Sequence, residues 1–408
     1  MFKSTTKRNP TIKEAVFILL TVIGVILFCL SNALVLETAL VLGTMTAAFF
    51  SVYLGYKWSD IEAGLLDGIQ HGLGACIILI IIGMVIGTWI LGGTIQTMLF
   101  YGLKLLAPQM FLPISFLLGT IISLLIGSSF GTIATIGIVL MGVAEGLGIP
   151  ADITAGAIVS GAIFGDKMSP MSDSTNLAAA MSGTGLFDHI RSMLYVSLPT
   201  VSISLVLYGV IGKMQLANNV DLATVEKILN HLQANFNISL LTLIPPLLMI
   251  ILSVLKVPAI VSLSASFVTA ASFAMITQGA NFAEILDIAA NGYVSDTGYK
   301  MIDNLLTQGG INNMMSTVAI IMAGTAMGGV LEENGVLNVL LEALMEYIEK
   351  PRDLIISTLL SAYIMLFATG EMMVSMIIPG RTLDPAYKKM NIKNNVLSRT
   401  LETSATLG

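Results

Sequence analysis

Gly165-Asp166-Lys167-Met168-Ser169-Pro170-Met171-Ser172-Asp173-Ser174-Thr175-Asn176 follows an apolar segment, residues 153–164, and precedes more apolar sequence from Leu177. The stretch sets two carboxylates, an amine, a proline and a run of hydroxyl and amide side chains in hydrophobic surroundings. Charges at membrane depth are expensive and persist where they face a cavity, pair with each other or handle an ion. Pro170 lacks an amide proton and its ring clashes with the preceding turn, so a helix carrying Asp166 should open near it. Carbonyls freed there, with the hydroxyls of Ser169, Ser172, Ser174 and Thr175, are hard oxygen ligands suited to sodium. Asp166 and Asp173 add negative charge and groups that take up a proton, and Lys167 can pair with either. The competing reading makes Asp166 and Lys167 a water-exposed loop. It loses ground because the flanking segments are too short for two complete spans joined by an ordinary loop.

Outward from this stretch, composition agrees. Of 408 residues, 55% are hydrophobic and 11% charged, and the mean hydropathy is +0.88. Ordinary soluble domains are roughly 45–50% apolar and about 25% charged. Several stretches reach the roughly 20 apolar residues that cross a bilayer as a helix, and none shows the ten-residue alternation of a membrane barrel. The fold class is therefore an all-α polytopic membrane protein whose main partner is the lipid bilayer. The formal charge of −6 comes without a basic patch, which argues against nucleic acid. Cys29 and Cys76 lie in apolar segments and give neither a disulfide framework nor a metal-ligand spacing. No Ser/His/Asp order, nucleotide-binding glycine loop or zinc spacing is present, so neither an enzyme nor a cofactor is expected. Lys3, Lys7, Arg8 and Lys13 precede the apolar run Ala15–Leu30. This reads as an uncleaved first helix with a cytoplasmic N-terminus.

Hydropathy predicts helices near 15–33, 38–56, 68–91, 110–127, 132–147, 151–165, 174–182, 191–212, 238–255, 257–277, 314–331, 354–369 and 372–380, with shorter ones at 95–106 and 336–349. Residues 213–236 read as a polar linker in which Asp221 caps a short helix with Val225, Ile228, Leu229 and Leu232 on one face. Two halves look alike. Gly83-xxx-Gly87 corresponds to Gly324-xxx-Gly328. Each is followed by a glycine turn (Gly92-Gly93; Glu332 to Gly335), then a leucine-rich segment ending at Pro108 or Pro351. An apolar helix comes next and stops at Gly127-Ser128-Ser129 or at Gly370-Glu371. Four matches in one order argue for a structural repeat, and transporters so built hold ions where broken helices of the two repeats meet. The expected organisation is N-terminal helices at 1–57, a first transport repeat at 58–212 and the linker at 213–236. Connecting helices at 237–293 and a second, incomplete repeat at 294–408 complete it.

The second break, Gly127-Ser128-Ser129-Phe130-Gly131-Thr132, exposes carbonyls or allows close helix approach. Glu371, beside Gly370, is a carboxylate between two apolar helices and is a functional candidate. His71 precedes a glycine-rich helix start, and His231 lies in the linker. His189 is within reach of a pH-sensing role but reads better as an exposed loop histidine.

The stretch Gly165–Leu177 resembles the signature of the NhaC-type sodium/proton antiporters of the wider ion transporter superfamily. The resemblance extends to Gly127–Thr132, Leu186-Phe187-Asp188-His189-Ile190, Thr369-Gly370-Glu371, Ile378-Pro379-Gly380-Arg381 and Leu397-Ser398-Arg399-Thr400-Leu401-Glu402. It implies exchange of sodium for protons across a bacterial plasma membrane by alternating access. Some relatives instead couple these ions to malate, lactate or an amino acid. For such an anion Lys167 and Arg381 are candidate cations. Phe130 stands where relatives often carry tryptophan. The family pattern continues past this chain's end with a Ser-Pro break, so the chain is expected to be C-terminally truncated. A non-transporting paralogue is then the third reading. The expected ion and proton site comprises Asp166, Asp173, Ser169, Ser172, Thr175 and Asn176, with Gly127, Ser128, Ser129 and Glu371 around it. Sodium would sit at Asp166 and Asp173, and Lys167, Pro170 and Gly370 would be auxiliary. A homodimer is compatible with the sequence.

Overall fold

The structure is a computed structural model that describes residues 7–105, 110–170, 172–216, 222–255, 257–345, 348–369 and 372–407. Among the described residues all regular structure is helical. The chain opens with α1 (Ile12–Ser31), α2 (Leu36–Tyr53), α3 (Trp58–Leu91), α4 (Thr94–Leu105), α5 (Phe111–Ile126) and the four-residue α6 (Ser129–Thr132). A π-helical turn, Ile133–Gly137, leads to α7 (Ile138–Gly146), then α8 (Ala151–Lys167), α9 (Asp173–Ser182), α10 (Leu186–Leu216) and α11 (Leu222–Asn235). A 3-10 turn at Leu240–Leu243 precedes α12 (Ile244–Val254), α13 (Ala259–Gln278), α14 (Phe282–Asn291) and α15 (Lys300–Leu306). Last come α16 (Ile311–Glu333), α17 (Val336–Met345), α18 (Pro351–Thr369), α19 (Met372–Lys389) and α20 (Asn394–Leu407). Among the described residues seven helices are long and apolar enough to cross a membrane: α1, α2, α3, α10, α13, α16 and α18. The chain is an all-α polytopic membrane protein.

The differences from the hydropathy reading have physical causes. α3 begins at Trp58, ten residues before the expected 68, because Asp60, Glu62 and Asp67 dilute the hydropathy of a helix that continues regardless. Its 34 residues make it about 51 Å long at 1.5 Å per residue, more than the roughly 30 Å of a hydrocarbon core. The apolar run expected at 132–147 is divided by the π turn. α19 continues past 380 through Pro379 and Pro385, held by buried Val374, Met376, Leu383 and Tyr387. α14, α15 and α20 escape hydropathy because they are short and polar on one or more faces. Asp221, Gly370 and Glu371 lie outside the described residues.

The chain divides into two compact units. Unit 1 comprises residues 1–76, 174–192 and 316–408, and unit 2 comprises 77–173 and 193–315. In unit 1, α3 and α16 meet backbone to backbone: a Cβ at Gly68 would lie 2.1 Å from the Thr325 carbonyl oxygen, and one at Gly64 2.7 Å from Glu333 Cβ. Ala15, Ile18, Val22, Leu54, Val330, Leu331, Leu337 and Met365 form its larger apolar cluster. A second cluster gathers Ala178, Leu354, Met376, Leu383, Tyr387, Leu397 and Leu401. Unit 2 is built on Trp89, Ile95, Phe111, Leu112, Phe116, Leu140, Val143 and Ile158. The Trp89 indole donates to Ser266 Oγ at 3.1 Å, and that hydroxyl donates to the Pro245 carbonyl at 3.0 Å. α11 is more than a tether, since Ile228 and Leu232 are buried in the same cluster.

The order long helix, glycine turn, short helix, apolar helix occurs twice, as α3–α4–α5 and as α16–α17–α18. Of the glycines that mark it, Gly83, Gly87 and Gly328 make close contacts within their own units. A Cβ at Gly83 would sit 2.5 Å from the Gly310 carbonyl oxygen, and one at Gly328 2.4 Å from Thr369 Cα.

Candidate ion-binding site

Asp166 lies in the last turn of α8, and its position follows from how α8 meets α5. A Cβ at Gly161 would fall 2.2 Å from the Phe116 carbonyl oxygen, and one at Gly165 2.2 Å from that of Thr120. Only glycine permits this approach, the usual device where membrane helices pack by van der Waals contact. The contact brings the end of α8 to the end of α5, where the chain breaks. Gly127 takes φ 72°, a left-handed conformation natural to glycine, and its amide donates to the Ser123 carbonyl at 2.7 Å. Ser128 then caps α6, its hydroxyl accepting from the Gly131 amide at 3.1 Å.

The first amide of α6 is free of intrahelical duty, and it meets the carboxylate. Ser129 N donates to Asp166 Oδ2 at 3.0 Å. The hydroxyls of Ser129 and Ser172 lie near enough to favour its charged form, and the like charge of Asp173 opposes it. Ser169, fully buried, donates to the Leu124 carbonyl at 2.8 Å and ties the segment after α8 back to α5. α8 ends at Lys167, with Ser169 N donating to the Asp166 carbonyl at 2.9 Å, so the helix opens just ahead of Pro170. Lys167 is buried at the helix C-terminus, where the dipole favours a cation. Gly127, Ser128, Ser129, Asp166, Lys167, Ser169, Pro170, Ser172 and Asp173 all belong to unit 2. Thr175, buried, and Asn176, exposed, follow in the part of α9 that belongs to unit 1.

Asp166 and Lys167 therefore do not form a loop in water: Lys167 and Ser169 are buried and Asp166 is held from two helices. The expectation for His189 is corrected. It is 0% exposed, in the first turn of α10, with Nδ1 2.9 Å from Ser398 Oγ. The resemblance includes Glu402 in the Leu397–Glu402 motif but gives it no role; it is also fully buried and accepts from Ser174 Oγ at 2.8 Å. Its signal is the run Leu397, Leu401, Ala405 at helical spacing beside Ser398 and Glu402, too polar for a hydropathy window. Among the described residues no group of three His, Cys, Asp or Glu is placed to hold a metal ion.

Broken helices and a carboxylate held between them define a membrane transporter of the ion-coupled class. A profile described as the Na+/H+ antiporter family matches residues 5–175 and 161–408. The chain belongs to that family. It is 38% identical over 369 residues to the Na(+)/H(+) antiporter NhaC of Alkalihalophilus pseudofirmus, covering 90% of this chain and 79% of that protein. It is 35% identical over 401 residues to the Malate-2H(+)/Na(+)-lactate antiporter of Bacillus subtilis, covering 98% and 86%. It is 36% identical over 355 residues to the arginine/ornithine antiporter ArcD of Halobacterium salinarum, covering 86% and 73%.

Proposed function

We propose that this protein exchanges sodium for protons across a bacterial plasma membrane by alternating access, with Asp166 as the group for which the two ions compete. The observation that carries the reading is the capture of Asp166 by the Ser129 amide at the α5–α6 break. A carboxylate so held keeps oxygen lone pairs for a cation, and a proton on the same oxygens removes the charge that holds sodium. Whichever ion binds displaces the other, so exchange is obligatory. Ser129 and Ser172 supply neutral oxygens, and Asp173 adds charge. Ser169 acts as a clamp, since its hydroxyl donates to Leu124. Thr175, Asn176 and Glu371 are proposed as further polar groups of the transport path, and 58–212 and 294–408 as its two repeats.

In everted vesicles, Asp166→Asn should abolish sodium-driven proton movement. Retained exchange with unchanged apparent sodium affinity would remove Asp166 from the mechanism. A second reading, sodium- and proton-coupled exchange of a small carboxylate, is favoured by one relative's malate and lactate cargo and by buried Lys167. Uptake of labelled malate and lactate with and without a sodium gradient separates the two.

A further inference from the structure

We propose that Glu402 is a second proton-carrying carboxyl of the transporter, set in unit 1 by Ser174 and flanked one helical turn away by the Ser398–His189 pair. The proposal rests on the antiporter reading and adds to it a residue outside the Asp166 site.

α20 has little face left for water: Leu397, Ser398, Thr400, Leu401, Glu402, Ser404 and Ala405 are all buried. Its hydroxyls spend their protons on backbone. Ser404 Oγ donates to the Thr400 carbonyl at 2.6 Å, Thr400 Oγ1 to that of Val396 at 2.8 Å, and Ser398 Oγ to that of Asn395 at 3.2 Å. A carboxylate has no proton to spend in this way. Glu402 takes the hydroxyl of Ser174, in the first turn of α9, and a helix N-terminus favours negative charge. A carboxyl buried in this manner is stable when protonated, or when ionised beside donors and positive charge. Those are the two states that a proton carrier passes between.

His189 is the second, independent observation. The Ser398 hydroxyl has one proton, and with that proton on Asn395 the bond to His189 requires Nδ1–H. The lone pair then lies on Nε2, which is buried and without a hydrogen-bond partner among the described residues. Unit 1 thus holds a buried carboxyl and an imidazole with a buried, unpartnered Nε2 attached to α20 at adjacent turns. Among the described residues, the elements packed against α20 carry Asp173 at the start of α9 and Tyr387, Lys388 and Lys389 on α19, besides the groups that follow. Arg399 reaches the Ser192 carbonyl at 3.4 Å. Asp188 and Arg191 on α10, and Arg352 and Arg381 on α18 and α19, are exposed. Asp353 is only partly buried on α18, and Asp384 pairs with Lys388 at 2.6 Å.

The test uses purified full-length protein in liposomes and reads two activities, sodium-driven proton movement and exchange of radioactive sodium for unlabelled sodium. Glu402→Gln should lose proton movement while sodium–sodium exchange persists, and Glu402→Asp should restore proton movement. Loss of both activities in a Gln variant that runs as a single species overturns the proposal, as does retention of both. If the Gln variant does not fold, the wild type decides by dicyclohexylcarbodiimide labelling, which adds to protonated carboxyls in apolar surroundings. An adduct on Glu402 that fades as pH rises supports the proposal, and no adduct at any pH overturns it. A wild type that moves no protons for sodium would instead sink the antiporter reading itself.

Discussion

Asp166 takes the Ser129 amide while the hydroxyl of the same residue lies nearby, and the two can be removed separately. Ser129 is the first residue of α6, a position where proline is well tolerated because that amide has no helical partner. The preceding Ser128, at φ −152° and ψ 117°, already has the extended backbone that a following proline demands. Ser129→Pro therefore deletes the amide donor to Asp166 with little local strain, whereas Ser129→Ala deletes the hydroxyl alone. A hydrogen bond to a charged group contributes about 1.5–3 kcal/mol. Ser129→Pro should accordingly weaken the apparent sodium affinity by about tenfold or more, and Ser129→Ala by less. Equal affinities for the two variants in a sodium titration of proton movement would show that the amide does not matter.

Between elements, the site depends on the contact of α5 with α8. A methyl group at Gly165 has nowhere to go but into the Thr120 carbonyl, and the helices must part to admit it. Overpacking of this kind costs about 1–3 kcal/mol. Gly165→Ala should lower the melting temperature in detergent and, by moving Asp166 away from Ser129, impair exchange as well. Gly24→Ala serves as the control, because a Cβ there meets nothing within 4 Å and alanine is the better helix former. A Gly165→Ala protein as stable as the control would contradict the close contact. The break at Gly127 was legible from glycine and serine interrupting an apolar run, and the opening before Pro170 from the ring's own sterics. The Gly127–Ser129 break was expected beside Asp166, but that the Ser129 amide is the donor was not legible, because a backbone amide carries no sequence signature. Nor was the burial of His189, which follows from α20 covering it, a helix whose polar side chains conceal its packing.

At the scale of the whole molecule, the seven apolar helices among the described residues mark a multi-pass membrane protein, and the basic N-terminal flank predicts its orientation. Lys3, Lys7, Arg8 and Lys13 precede α1, and cytoplasmic flanks carry the excess of Lys and Arg. A green fluorescent protein fused ahead of Met1 should thus fluoresce in cells. A dark fusion present at full length in the membrane would place the N-terminus outside. Composition settled the class of protein, since 11% charged residues cannot clothe a soluble surface, and the Asp166–Asn176 stretch marked where ion chemistry belongs. What the tertiary structure decided is which groups that chemistry meets. The Ser129 amide reaches Asp166 only because Gly161 and Gly165 let two backbones touch, and Ser174 reaches Glu402 across 228 positions of chain. Periodicity and hydropathy report the environment of a residue along its own helix. Contacts between distant helices depend on side-chain volume and on backbone donors, which neither measure records.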